Sequence, residues 1–123
     1  MTRRVAILQW LGLLVAPWAW FLQHLLGQAV AQASCTEANT TWGISNDAWQ
    51  IGLLIGAGTL ILLSEGAAVV AFRSTRRDSY ESPPPLGRVQ LIAIGAMTTN
   101  LIYLVIVLLD GIASIVEIAC RQS

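Results

Sequence analysis

The sequence predicts an all-α membrane protein with three transmembrane helices. Hydrophobic residues make up 55% of the 123 residues and charged residues only 11%, against about 25% charged residues in a typical soluble domain. Three apolar stretches, at 5–33, 48–72 and 89–119, each exceed the roughly 20 residues that a helix needs to cross the hydrocarbon core of a bilayer. Residues 1–123 are therefore expected to form a single transmembrane domain.

The first stretch also resembles a secretory signal peptide, because Arg3 and Arg4 precede it. Its apolar run is much longer than the about 7–15 residues of a signal-peptide core. We therefore expect 5–33 to be retained as a helix.

The arginines predict the orientation of these helices. Six of the seven basic residues lie before the first helix or in the 73–88 loop, namely Arg3, Arg4, Arg73, Arg76, Arg77 and Arg88. Because cytoplasmic segments carry the excess of Lys and Arg, the N-terminus and the 73–88 loop are expected in the cytoplasm. The 34–47 loop and the C-terminus are then expected outside. The net charge of zero gives no basic field for nucleic acid, so none is expected as a partner.

The two cysteines, Cys35 and Cys120, follow the first and third apolar stretches. The predicted topology places both at the outer surface, where an oxidising compartment permits a disulfide. Free thiols and a metal site are the alternatives. A structural zinc site needs four ligands, and no histidine lies near either cysteine in sequence, so we expect no metal.

The third helix carries a stripe of polar and small residues. The steps along it alternate between three and four residues, which places the stripe on one helical face. Polar groups inside lipid usually face protein because exposing them to lipid is costly. This face is therefore expected to pack on other helices. Its members are Ala96, Asn100, Tyr103, Val107, Asp110, Ser114 and Glu117.

On the first helix, Trp20 and His24 share a face, and the helical rise places His24 at about the depth of Asp110. A His–Asp pair can relay protons, or it can form a structural hydrogen bond that holds two helices in place, and we favour the structural role. No nucleophile or second base accompanies the pair, so no catalytic residue and no enzymatic activity are expected. A single membrane histidine cannot supply two axial haem ligands, and no cofactor is expected.

The second helix contains Gly52 and Gly56, a spacing that permits close helix approach, and it also contains Glu65. An acid in lipid is costly unless it is paired. Glu65 is expected to contact a polar group of another subunit or of this chain, including the loop arginines, while proton access is the alternative.

Pro17 lies inside the first helix and should kink it, because proline removes a backbone hydrogen bond. Trp18 and Trp20 follow directly. These two aromatic residues are expected to form a large packing surface against protein or lipid.

With Pro17, Trp20, Cys35 and Cys120 in this arrangement, the chain resembles a family of small three-helix membrane proteins that bacteria often encode beside haem–copper cytochrome c oxidase subunits. The resemblance implies a disulfide between the two cysteines and a multi-pass location in the bacterial inner membrane. It carries over no catalytic residue. The acidic third helix, with Asp110 and Glu117, departs from the family pattern.

The resemblance and the polar stripes together predict a non-catalytic accessory or assembly subunit of a respiratory membrane complex, above all of a cytochrome c oxidase. The expected partners are oxidase subunits and membrane lipids. The alternative is a small homo-oligomeric transporter or proton-conducting protein with Glu65, Asn100 and Asp110 along its path. Transporters usually show repeats or broken helices, and neither is evident in the sequence. A redox enzyme using the cysteines is a third hypothesis, which the absence of Cys-x-x-Cys disfavours.

Overall fold

A computed structural model describes residues 3–35, 45–76 and 86–116 of the chain. These residues form three helices: α1 (Arg3–Ser34), α2 (Asn46–Thr75) and α3 (Leu86–Val116). All three are long and apolar enough to cross a membrane, which confirms the predicted all-helical class. The sides of the membrane on which the termini lie stay a prediction.

The helices begin two or three residues before the apolar stretches do. At the start of α2 the reason is a cap: the hydroxyl of Ser45 accepts a hydrogen bond of 3.2 Å from the backbone N–H of Ala48. Such a cap satisfies a backbone donor that the first helical turn leaves unpaired. The predicted end of the third helix, at 117–119, lies outside the described residues.

α1 runs without interruption through Pro17. Proline cannot donate a backbone hydrogen bond to the carbonyl four residues earlier. The helix tolerates this loss because the rest of its backbone bonds and its packing against two other helices hold it in place. The helix breakage that characterises many transporters is therefore not found in α1.

Each helix packs against both of the others, and small side chains dominate the contacts. A buried apolar cluster joins all three helices, with four larger side chains packed around it. Small residues allow helix axes to approach closely, which increases the van der Waals contact that helps to hold helices together in lipid. The buried members are Ala16, Ala19, Ala57, Ile61 and Val107, and the side chains packed on them are Trp20, Leu54, Tyr103 and Leu104.

Three glycines mark the places where two helices come closest. A Cβ atom added at Gly12 would lie 2.9 Å from the backbone nitrogen of Ala68, and one added at Gly111 would lie 2.6 Å from Leu54 Cδ1. At Gly27 the same atom would lie 3.0 Å from Gln50 Oε1. A residue larger than glycine does not fit at these three positions without a shift, because a neighbouring helix occupies the space that its side chain would need.

Gly52 and Gly56 do not mark a contact within the bundle. An added Cβ at either residue would meet no atom within 4 Å, and both residues are exposed. The close approach that this spacing permits is not made among the described helices, and a contact of these two glycines with a partner stays a prediction. The buried face of α2 instead follows Ala57, Ile61, Ser64, Ala68 and Ala71.

Candidate functional site

The carbonyl oxygen of Gly12 joins all three helices near the middle of the bundle. It accepts a hydrogen bond of 2.9 Å from Asn100 Nδ2 on α3 and one of 3.0 Å from Ser64 Oγ on α2. The Ser64 hydroxyl also lies 3.1 Å from the carbonyl oxygen of Leu11. Asn100 and Ser64 are buried, so these bonds satisfy polar groups that would otherwise be left without water.

A second polar cluster lies towards the other end of α1 and α3. His24 Nδ1 lies 3.2 Å from Asp110 Oδ2, so the structure brings together the two residues that were expected at one depth. The ring of Trp20 stacks on the imidazole at a centroid distance of 5.8 Å and also contacts the ring of Tyr103 at 6.1 Å. The His24 side chain is 48% exposed and that of Asp110 is 26% exposed. The cluster thus lies at the edge of the bundle.

A third link, through Gln50, was not expected from the sequence. Gln50 Nε2 donates a buried hydrogen bond of 3.0 Å to the carbonyl oxygen of Gly27, which ties α2 to α1. Gln50 is only 3% exposed. The spacing of Gln50, Ala57, Ser64 and Ala71, seven residues apart, could have indicated that these residues share one buried face.

The polar stripe of α3 packs against the other two helices of the same chain. Ala96, Asn100 and Val107 are buried, Tyr103 contacts Trp20, and Asp110 contacts His24. The expectation that this face packs on protein therefore holds for these residues, and α1 and α2 supply the protein. Glu117 lies outside the described residues.

An apolar layer separates the central polar group from the His24–Asp110 cluster. Asn100 and Asp110 are about 15 Å apart along α3 at the helical rise of 1.5 Å per residue. The buried apolar cluster fills this interval on α3 through Val107, and Ala16 and Ile61 belong to the same cluster. A relay of protons needs polar groups or water within hydrogen-bond distance of one another. The ring of Tyr103 also lies in this interval, and no hydrogen bond among the described side chains crosses it.

Glu65 lies next to Ser64 on α2 and is half-buried. Its Oε2 atom is buried and has no hydrogen-bond partner. Within the described part of the chain, no arginine forms an ion pair with Glu65, so the expected contact with Arg73, Arg76 or Arg88 is not observed. Arg77 lies outside the described residues. A carboxyl oxygen without a donor is costly in hydrocarbon, and Glu65 is therefore a candidate functional residue.

The two tryptophans that follow Pro17 have different surroundings. Trp20 packs on the inner cluster, whereas Trp18 is 60% exposed and stands in an apolar groove of about 540 Å³. The groove runs along α1 from Arg3 to Leu22 and includes Leu60 of α2. The packing surface expected from Trp18 and Trp20 is thus divided between the interior and the exterior.

Two exposed glycines of α2 precede the one α2 residue that lines the groove. Leu60 lines the groove, and Gly56 lies four residues before it, one turn along the same side of the helix. Gly52 lies a further turn away. We call this combined surface, from Trp10 and Trp18 across Leu60 to Gly56 and Gly52, the α1–α2 face. This surface has an apolar groove, and it has glycines at which the backbone of a neighbouring helix could approach α2 closely.

The described residues contain no group of three His, Cys, Asp or Glu side chains that could hold a metal ion. Cys35 directly follows α1, and Cys120 lies outside the described residues. The disulfide between them therefore stays a prediction.

We expect the disulfide to be present in the mature protein, because the two cysteines are predicted on the same outer side. The intact mass after alkylation without reductant should show no added label, and alkylation after reduction should add two labels. Two labels without reductant would contradict the disulfide.

The His24–Asp110 contact should contribute little to stability. Interhelical polar contacts in membrane proteins average about 0.6 kcal/mol, and His24 is about half exposed. Asp110→Asn should lower the free energy of unfolding by less than about 1 kcal/mol. A double-mutant cycle with His24→Gln measures the coupling energy in micelles, and a coupling of several kcal/mol would contradict a peripheral, structural role.

Comparison of the chain with protein-family models, curated proteins and solved structures finds no match.

Proposed function

We propose that this protein is a non-catalytic accessory or assembly subunit that packs through its α1–α2 face against a larger membrane complex. The candidate complex is a respiratory one, a cytochrome c oxidase, because the arrangement of Pro17, Trp20, Cys35 and Cys120 resembles the small proteins encoded beside such oxidases. The proposed location is the bacterial inner membrane, with the N-terminus in the cytoplasm.

The observation that carries the proposal is the exposed Gly52-x-x-x-Gly56 pair. Gly58, Gly66 and Gly95 are equally open, but no other two glycines of the chain are four residues apart. Gly12, Gly27 and Gly111 are occupied by contacts within the chain, whereas Gly52 and Gly56 meet no atom within 4 Å. In lipid, a Gly-x-x-x-Gly pair on an exposed helix face favours the approach of another helix. Beside it, the groove along Trp10 and Trp18 is long enough to follow a second transmembrane helix, since residues 3–22 span about 28 Å at the helical rise.

The inner polar contacts support a structural role over a transport role. Ser64 and Asn100 bind the backbone of α1 from the other two helices, and His24 contacts Asp110 at the edge of the bundle. Between the central group and the His24–Asp110 cluster, no hydrogen bond links the described side chains of a single copy. A homo-oligomeric transporter would need a path between copies, and the exposed glycine pair is equally able to join two copies of this chain.

Affinity purification in mild detergent tests the proposal. The chain should be tagged at its N-terminus and expressed in its native membrane, and co-purifying proteins should be identified by mass spectrometry. We expect oxidase core subunits in a fixed ratio to the tagged chain. Deletion of the gene should reduce the amount of assembled complex more than the turnover of each complex that remains.

Two outcomes would contradict the proposal in different ways. If another membrane complex co-purifies instead of the oxidase, the protein is still an accessory subunit, but not one of a respiratory complex. A pure homo-oligomer that moves protons or a solute in liposomes would overturn the accessory role and support the transporter.

A further inference from the structure

The register of α2 and α3 places Glu65 opposite Asn100. Leu54 of α2 contacts Gly111 of α3, and the two helices are joined by a short segment, so they run antiparallel. Moving eleven residues along each helix from this contact, close to three turns of 3.6 residues, returns to the same helix faces. The move leads to Glu65 on α2 and Asn100 on α3.

The hydrogen bonds at Gly12 give the same register independently. Ser64 Oγ and Asn100 Nδ2 both bind the carbonyl oxygen of Gly12, which puts the two residues at one level of the bundle. Glu65 directly follows Ser64. It is therefore at the level of Asn100 and on the side of α2 that carries Leu54.

Both of these residues have an oxygen atom that lacks a donor. Glu65 Oε2 and Asn100 Oδ1 are buried and have no hydrogen-bond partner, and Asn100 is only 1% exposed. Asn100 Oδ1 only accepts hydrogen bonds, and the Glu65 oxygens also only accept when the carboxyl group is ionised, so in that state the pair lacks a hydrogen-bond donor. Leaving a buried acceptor unpaired is costly, because it loses its bonds to water and gains none from the protein.

We propose that Glu65 and Asn100 together bind a water molecule between α2 and α3. A water molecule has two O–H donors, one for each oxygen, and buried waters typically bind polar groups that lack other partners. The surroundings favour water because they are polar: Ser64 and the carbonyl of Gly12 lie at this level. Towards the arginine-bearing ends of the helices, three more polar residues are buried, Gln9, Thr75 and Gln90.

The apolar cluster on the other side confines this water to one half of the bundle. The site therefore holds a bound water between α2 and α3 and does not extend to the His24–Asp110 cluster. These contacts lie inside a single copy of the chain, so the water site does not depend on the proposed function.

Transfer of magnetisation from water to side-chain amides tests the site. The intact protein should be labelled with ¹⁵N and placed in lipid nanodiscs, and the Asn100 side-chain amide should be compared with the backbone amide of Val107, which lies in the apolar cluster. We expect rapid transfer from water to Asn100 and at least tenfold slower transfer to Val107. Equal, slow transfer to both would overturn the proposal.

Two variants distinguish a water held by Glu65 from general hydration. Glu65→Leu removes one of the two acceptors, and transfer to Asn100 should fall severalfold. Glu65→Gln supplies an N–H that can bond Asn100 Oδ1 directly, so transfer should also fall while the fold is kept. Since this second variant is nearly the same size and remains polar, it serves if Glu65→Leu does not fold. Unchanged transfer in a folded variant of either kind would contradict binding by Glu65.

Discussion

Gly12→Val should cause the largest loss of stability of the single substitutions considered, about 2–5 kcal/mol in the free energy of unfolding. Overpacking a filled interior costs about 1–3 kcal/mol, and the added Cβ would already lie 2.9 Å from backbone and side-chain atoms of Ala68. α1 and α2 would have to separate. The bonds from Ser64 and Asn100 to this part of α1 would lengthen, each at about 0.6 kcal/mol.

The control for this substitution is Gly95→Val. An added Cβ at Gly95 meets no atom within 4 Å, so the free energy of unfolding should change by less than about 0.5 kcal/mol. Unfolding in mixed micelles with increasing denaturing detergent, followed by helical circular dichroism, measures both variants. Equal stability of the two variants would mean that α1 and α2 do not approach closely at Gly12.

The number and class of the helices could be predicted from the sequence because each is specified locally. A run of apolar residues long enough to cross the hydrocarbon core satisfies its own backbone hydrogen bonds only as a helix. The pairing of His24 with Asp110 could also be predicted from the sequence, since the rise per residue fixes the depth of each residue along its helix. Their shared depth follows from counting along α1 and α3.

The distribution of the glycines could not be predicted in the same way. Gly12 and Gly27 stand alone in α1, whereas Gly52 and Gly56 form a recognisable pair in α2, yet only the lone glycines pack inside the chain. A pairwise spacing says that two small residues share a face, but it does not say which neighbour that face meets. That depends on the rotation of each helix, which the contacts of all three helices determine together.

The buried amides were missed for a related reason. Gln50 lies near the start of α2, where a polar residue is expected at the membrane boundary. Its side chain instead points to the carbonyl of Gly27. The sequence predicts that Asn100 faces inward, but it does not predict the contact with a backbone carbonyl. Every residue has such a carbonyl, so the sequence does not indicate which one accepts the bond.

Gly56→Val should separate this protein from its complex without unfolding it. The α1–α2 face offers a backbone approach at Gly56, and a valine there would hold a neighbouring helix away from that backbone. A loss of about 1.4 kcal/mol in association corresponds to a tenfold lower affinity. We therefore expect at least tenfold less co-purified partner for each molecule of tagged variant.

Gly95→Val is again the matched control, because it adds the same side chain at an exposed helical glycine on α3. Co-purification should be retained with this variant, and the unfolding free energy of isolated Gly56→Val should stay within about 0.5 kcal/mol of the wild-type value. If Gly56→Val retained its partner, the α1–α2 face would not be the interface. If it unfolded, Gly56 would have a contact within the chain that its open surroundings do not predict. Because the same glycine can join two copies, the mass of the isolated wild-type particle decides between a foreign helix and a second copy at this face.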